Sequence, residues 1–496
     1  MYRRTFLAGL AAFSTTRQKQ FNLTSEGLPA LSRVPYVQNV TSDQATILWA
    51  TDDPDNGSVE YSSNGVDFTA VWASAKTFPS FETTPLRPFT QYEARLAGLL
   101  PNTLYVYRVS VGGAELAQGS FRTAGPGPFR FVVIGDSGQG RSPQFQIGQR
   151  LPLENPAFLI HAGDIAYMRG SYNDFQLNHF DVYNTILSSL PYFPVPGNHE
   201  YDDGRRPTPA PFVALHSVPT GKVPAADRGL YYSFDWGNAH FICLDSNKPL
   251  EQAITSNGEM LRWLERDLRA TRQFWRIAVV HHPPYAGGPN QFEISSALVR
   301  TRIVPILEKY GVQLMLSGHE HSYQRSHSLR NGSIVAVNTG TVYMTSGGGG
   351  ASLYNVTSIP QIALSRSEHH YLTVDVDGSS MLLTATTQTG AVIDRVTLSP
   401  LPALIDDGRA PVSITAAANG SLLRIRGRSL AIEERFVGVG AAQLAQTSVA
   451  VDGVPLSLIY VSGTLIWARS SAAVQAPFVL KITNPNGSTE TTIRQA

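Results

Sequence analysis

Five short apolar runs in the middle of the chain each end in a residue type that binds metal ions: Phe131–Asp136, Phe158–Asp164, Tyr192–His199, Ile277–His281 and Leu314–His321. A continuous apolar run of this length, bounded by Gly or Pro, suits a strand buried on both faces. Strands of that kind need helices to cover them, so this stretch is bound to an α/β arrangement in which ligands gather beyond the carboxyl ends of the strands. In chain order the strand ends present Asp, Asp, Asn-His, His and His-x-His. Taken singly, Gly-Asp and Gly-Asn are ordinary turn dipeptides. Five in succession, with Tyr167 following Asp164 and with His319 and His321 one residue apart, form a ligand set. Mixed oxygen and nitrogen donors suit a pair of first-row metals, and with no cysteine among them thiolate ligation is excluded.

The blocks are Gly135-Asp-Ser-Gly138, Gly163-Asp-Ile-Ala-Tyr167, Gly197-Asn-His-Glu200, Ala278-Val-Val-His281 and Gly318-His-Glu-His321. They resemble the calcineurin-like metallophosphoesterases and, within them, the purple acid phosphatases, whose pattern runs GDxG, GDxxY, GNHE, VxxH and GHxH. Ala278 stands where the family usually has Val. The flanking stretches His281–Tyr285 and Gly318–Arg325 resemble the family as well, and the likeness covers roughly residues 33–400.

The resemblance implies a four-layer α/β sandwich of mixed sheets flanked by helices. It also implies the ligand roles. Asp164 bridges two ions, Asp136, Tyr167 and His321 complete one site, and Asn198, His281 and His319 complete the other. The implied cofactor is Fe(III) plus a divalent metal, Fe, Zn or Mn. With Tyr167 as a phenolate the ligands carry three negative charges. A bridging hydroxide then offsets all but about one charge of the pair, leaving a positive pocket for a phosphate anion. The other reading of Tyr167 is a packed aromatic following a strand. The implied activity is that of an exported acid phosphatase hydrolysing phosphate monoesters by attack of a metal-bound hydroxide. A metal-dependent phosphodiesterase of the same superfamily is one alternative. A cell-surface binding protein with a phosphatase-like core is another; it calls for a damaged ligand set, and all seven positions are intact.

His199 directly follows Asn198, which turns it from the metal toward the substrate's oxygens. It is the candidate catalytic residue, protonating the leaving alkoxide; Asn198, His199 and His282 are the candidate substrate-binding residues. The alternative for His199 is a histidine that only orients a ligand. Successive side chains of an extended chain alternate faces, which leaves His282 open between pocket wall and core. Plant members carry a tandem His pair nine and ten residues beyond the fourth-block ligand, whereas Asn290 and Gln291 stand here, so the leaving-group pocket departs from the pattern. His161, Tyr323 and Arg325 either support the ligands or pack.

A chain of 496 residues is too long for one ordinary core. Its net charge of +1 argues against nucleic acid or a polybasic membrane contact, and no apolar run of transmembrane length occurs. The single cysteine, Cys243, has no internal disulfide partner and reads as core. Met1–Phe13 pairs Arg3 and Arg4 with a short apolar stretch, as a bacterial twin-arginine signal does, so residues 1–25 are set aside as an export segment; a basic tail is the other reading.

Residues 33–124 alternate in short β-like stretches around a candidate buried Trp49 and resemble a fibronectin type III domain ahead of the catalytic domain, 126–400. Within the latter, Met260, Leu261, Trp263, Leu264 and Leu268 mark one face of a helix. A second helix runs from Ser295 to Tyr310, and Tyr371–Val376 with Met381–Ala385 read as a closing hairpin. Gly347–Gly350 is either a loop near the metals or a flexible turn. Residues 408–496 resemble an immunoglobulin-like IPT/TIG β-sandwich with no catalytic constellation, suited to scaffolding or to cell-surface or matrix contact.

Overall fold

The strands expected from the five apolar runs are present, three in one mixed sheet and two in another. The computed structural model describes residues 30–52, 54–83, 87–247, 258–405 and 409–495, so the export segment proposed for 1–25 lies outside the described residues. Strands β1 (Phe129–Ile134), β2 (Phe158–His161) and β3 (Tyr192–Pro194) pair in parallel, with Val132 opposite Leu159 and Leu159 opposite Tyr192. Asp136, Asp164 and Asn198 therefore leave the sheet on the same side. β3 is short because Pro194 and Pro196 have no N–H to give the ladder. Beyond β1 the sheet continues antiparallel through His370–Asp377, Ser380–Thr387 and Val392–Leu398, so the expected hairpin does close it.

A second sheet repeats the logic. β4 (Ala239–Leu244), β5 (Trp275–Val280), β6 (Leu314–Ser317) and β7 (Val342–Ser346) run parallel. Antiparallel strands flank them, Tyr232–Trp236 on one side and Tyr323–Ser326 with Ile362–Arg366 on the other. Side chains alternate along each strand. Inward rings meet across the sheets, Phe131 to Phe241 at 5.2 Å and Phe193 to Phe234 at 3.7 Å between centroids. Each such buried ring contributes about 1.5–3 kcal/mol of transfer free energy, and the buried Cys243 belongs to this core. Outward residues Val132, Ile134 and Leu159 pack under Ile147 of the helix Ser142–Arg150. On the second sheet Ile242, Ala278 and Val280 pack under Met260, Trp263, Leu264 and Leu268 of the helix Glu259–Ala270. The order of layers is helix, sheet, sheet, helix.

Two sequence expectations are modified. Leu261 is only partly buried, at the margin of its helix face. The second helix is not continuous: Ile294–Leu298 is α, Val299–Ile303 is a π turn and Val304–Lys309 is α again. Pro305 explains the break, since it has no N–H for the carbonyl four residues earlier and the ladder slips by one.

The N-terminal unit has two four-stranded sheets around Trp49, fully buried and stacked on Tyr92 at 5.0 Å. Tyr107 donates to Ser188 O at 2.8 Å and Tyr36 to Leu215 O at 2.6 Å, tying this unit to the catalytic domain. The C-terminal unit has a six-stranded and a four-stranded sheet sharing one apolar core that includes Leu423, Ile425, Val449 and Leu480. It docks through Gln313 Nε2 to Ser429 Oγ at 3.0 Å and Gly463 N to Arg272 O at 2.9 Å. No helix among the described residues is long and apolar enough to cross a membrane.

One ion cluster around a buried histidine sets a pH dependence for the fold. His240 lies between Asp235 (Nδ1, 2.6 Å) and Asp267 (Nε2, 2.7 Å). Burial opposes a charge on the ring, but the two carboxylates outweigh it and hold the imidazole up at about 9, above its ordinary 6.5. A raised folded-state value means that the stabilisation is fully present below pH 6.5 and is lost as pH rises through about 9. It is on the order of 3 kcal/mol. The urea midpoint of the wild type should exceed that of His240→Gln at pH 6, and the gap should close by pH 10. A gap independent of pH would show that the ring is not held as a cation.

Candidate metal centre

Three of the proposed ligands sit where the chain turns sharply past a strand. Asp136 (φ 57°), Asp164 (φ 53°) and His319 (φ 69°) adopt the left-handed conformation, which costs a residue with a Cβ about 1–2 kcal/mol. Backbone contacts hold these turns. His319 N donates to both Asp136 oxygens at 2.9 and 2.8 Å. Glu200 accepts four N–H bonds, from Gly197 (2.7 Å), Asp164 (3.0 Å), Ile165 (2.9 Å) and Ala166 (3.1 Å), so one buried carboxylate knots the second block to the third. At Gly197 a Cβ would collide with the Asp164 carboxylate, so the two loops meet only because that side chain is absent.

Six of the proposed ligands form one chain of contacts through the seventh, Asp164. Tyr167 OH donates to Asp164 Oδ2 at 2.9 Å and lies 3.3 Å from Asp136 Oδ1 and 3.0 Å from His321 Nε2. On the other side of Asp164, His281 Nε2 stands 3.4 Å from Oδ1 and 3.0 Å from Asn198 Oδ1, and His319 Nδ1 lies 3.1 Å from that same Asn198 oxygen. Asp136, Asp164 and His321 offer ligand atoms within 4.8 Å of one another, and so do His281, His282 and His319. These are two neighbouring metal-capable groups, drawn from both sheets. Carboxylate and phenol oxygens gather in the first and imidazoles in the second, which fits a first-row pair by donor chemistry.

Electrostatics inside the cluster follow from burial and crowding. Burial, then the Asp164 and Asp136 carboxylates, push the Tyr167 phenol well above its ordinary value, so a phenolate there calls for a strong cation beside it. Burial favours a neutral Asp164, but His281 and His199 outweigh it and hold the carboxyl well below its usual range. Burial likewise opposes charge on His281, and Asp164 reverses that, holding the ring at about 10. Glu200 is pushed up to about 7 by burial and by Asp164, against the pull of its amide donors.

The remaining candidates separate. His199 packs its ring on Tyr167 at 4.1 Å, with Nδ1 2.7 Å from Met168 O and its N–H on Asp164 Oδ1 at 3.0 Å. His282 is 2% exposed, bonded to Ser246 Oγ at 2.7 Å, and lies 4.3 Å from the His319 ring. His161 Nε2 meets Ser137 Oγ at 2.8 Å behind Asp136. Tyr323 and Arg325 both reach Asp394, 2.7 and 2.6 Å away on the strand Val392–Leu398, and so join the two sheets. Gly347–Gly350 is buried behind Asp136, with Gly349 N on Gly135 O and Ala351 N on Asp136 O, both at 2.9 Å. Three further contacts escape a reading of the sequence. They are the Glu200 knot, Tyr354 stacked on His321 at 4.0 Å, and Glu293 on His319 Nε2 at 2.8 Å. Only Glu200 has a local signal, its place in the Gly197-Asn-His-Glu200 block.

Residues 129–323 match the family model of calcineurin-like phosphoesterases, which is the class that the fold and the strand-end cluster define. Residues 34–123 match the purple acid phosphatase N-terminal domain, which is what the fibronectin-like reading of this region becomes. The chain is 28% identical over 306 residues to an uncharacterized protein of Mycobacterium tuberculosis, an alignment covering 52% of this chain and 58% of that one, less than two thirds of the relative. It is 26% identical over 320 residues to purple acid phosphatase 21 of Arabidopsis thaliana, covering 62% and 69%. Against the purple acid phosphatase from yellow lupin seeds the fold agrees with a TM-score of 0.65 at 21% identity, over 74% of this chain and 75% of that one. Over residues 34–323 the chain thus resembles the purple acid phosphatases in both its N-terminal and its catalytic regions.

Proposed function

We propose that this chain is an exported acid phosphatase that hydrolyses phosphate monoesters at a dinuclear centre of Fe(III) with a divalent metal. The supporting observation is the convergence of Asp136, Tyr167 and His321 on one side of Asp164 and of Asn198, His281 and His319 on the other. Such a pair, when bound, lowers the pKa of water and polarises a phosphoryl oxygen. The protein's own share is positional. Glu200 and the left-handed Asp136, Asp164 and His319 fix the ligand directions, and the buried glycines behind Asp136 exclude water from that side. His199, seated on Tyr167 and held by Met168 O, stands beside the shared carboxylate and donates a proton to the departing alkoxide. The apolar, arginine-bearing segment 1–25 directs export, and the C-terminal unit, read as an IPT/TIG-like sandwich, serves as a scaffold docked on the catalytic domain.

Colour tests the reading. A phenolate on ferric iron gives a visible charge-transfer band, so the oxidised protein should be coloured, and Tyr167→Phe should lose the band while retaining some iron. The same preparation should release phosphate from an aryl monoester much faster than from a diester. A colourless protein holding only divalent ions would remove the ferric assignment, and a preference for the diester would remove the monoesterase assignment.

A further inference from the structure

Each imidazole of the proposed ligand set has one ring nitrogen turned away from the cluster, and what holds that nitrogen decides where the ring's lone pair points. His281 Nδ1 lies 2.8 Å from Ala162 O and His321 Nδ1 lies 2.6 Å from Ser352 O, so two of the three rings are fixed by backbone carbonyls. His319 is different. Its outward nitrogen, Nε2, faces a side chain, the Glu293 carboxylate, at 2.8 Å, while Nδ1 lies on the Asn198 side at 3.1 Å. His319 is 6% exposed, whereas the Glu293 side chain is 45% exposed, so the carboxylate reaches in from the surface. Its loop is pinned in turn: Asn290 N donates to Glu320 Oε1 at 2.8 Å and Glu293 N to Asn290 O at 3.0 Å. This is the same stretch in which Asn290 and Gln291 set the chain apart from the plant pattern.

We infer that Glu293 is a positioning residue for the second metal. It accepts the Nε2–H of His319, fixes the tautomer whose lone pair is on Nδ1, and holds the ring's orientation with a carboxylate standing behind it. The inference rests on the two-metal reading of the site. A half-exposed ion pair adds little to folding, so the effect of Glu293 falls on the imidazole rather than on the stability of the chain. Of the three outward contacts it is also the one that a substitution can remove without touching the backbone.

The test is a metal titration of the full chain with Zn(II), read by chelator competition and by bound-metal stoichiometry. Glu293→Ala should weaken the second equivalent by about 10- to 100-fold, leave the first equivalent unchanged, and leave the melting temperature of the metal-free protein unchanged. Glu293→Gln keeps an oxygen that accepts the Nε2–H but not the charge, and should fall between the two. Should Glu293→Ala bind its second equivalent within twofold of the wild type, the positioning role is overturned while the metal centre stands. Should the wild type itself hold fewer than two equivalents, the two-metal reading fails and this inference with it.

Discussion

Asn198→Ala is expected to lose the second metal and nearly all turnover, while His199→Ala keeps both metals and loses about 10²- to 10⁴-fold in rate. The neighbours differ because their side chains part at the turn. Asn198 Oδ1 lies between His281 and His319, at 3.0 and 3.1 Å, and is the oxygen that those two imidazoles share. The His199 ring instead packs on Tyr167 with Nδ1 tied to Met168 O, and only its backbone N–H bonds Asp164 Oδ1. The His199 loss should shrink for a nitrophenyl ester, whose leaving group needs little protonation, and grow for an alkyl ester. Metal analysis and rates on the two esters decide the matter. Equal losses on both would strip His199 of the proton and leave it a phosphate-positioning group.

Glu200→Ala should be the most damaging change outside the ligands. It orphans four buried N–H groups at once, of Gly197, Asp164, Ile165 and Ala166. A buried donor left without a partner costs about 1–3 kcal/mol, so the sum reaches several kcal/mol and rivals the whole net stability of a domain, about 5–15 kcal/mol. Asp164 would also be freed from its left-handed turn, and the shared ligand with it. Thermal denaturation and metal content both report this. A Glu200→Ala protein that melts near the wild type and holds its metals would mean that water replaces the carboxylate without loss.

The ligand strands were legible because apolar run, turn and ligand are adjacent in the chain, and the parallel register of β1 to β3 then follows from burial on both faces. Contacts across the fold were not. Glu200 reaches back to Asp164, and Glu293 reaches forward to His319, each across an interval that no periodicity marks. The edge strands Thr69–Trp72 and Ser74–Phe78 escaped because their residues are mostly exposed and show no apolar alternation. Alternation leaves the tandem histidines open: His282 and His281 both flank His319, 4.3 and 5.1 Å from its ring, since His319 enters from the next strand. The break in the second helix was written in Pro305, a residue that periodicity alone passes over.

The division of donors between the two sheets gives assembly an order in time. A chain synthesised as far as Glu200 already carries Asp136, Asp164, Tyr167 and Asn198, all of them oxygen donors. Every imidazole of the proposed set arrives later, from β5 and β6 of the second sheet. Of the proposed ligands the early half holds only oxygen donors, the preference of hard ions such as magnesium or calcium. On the proposed ligand set, selection for a nitrogen-loving metal would wait until the two sheets close on each other, so the seam between them would be where the choice of metal is made.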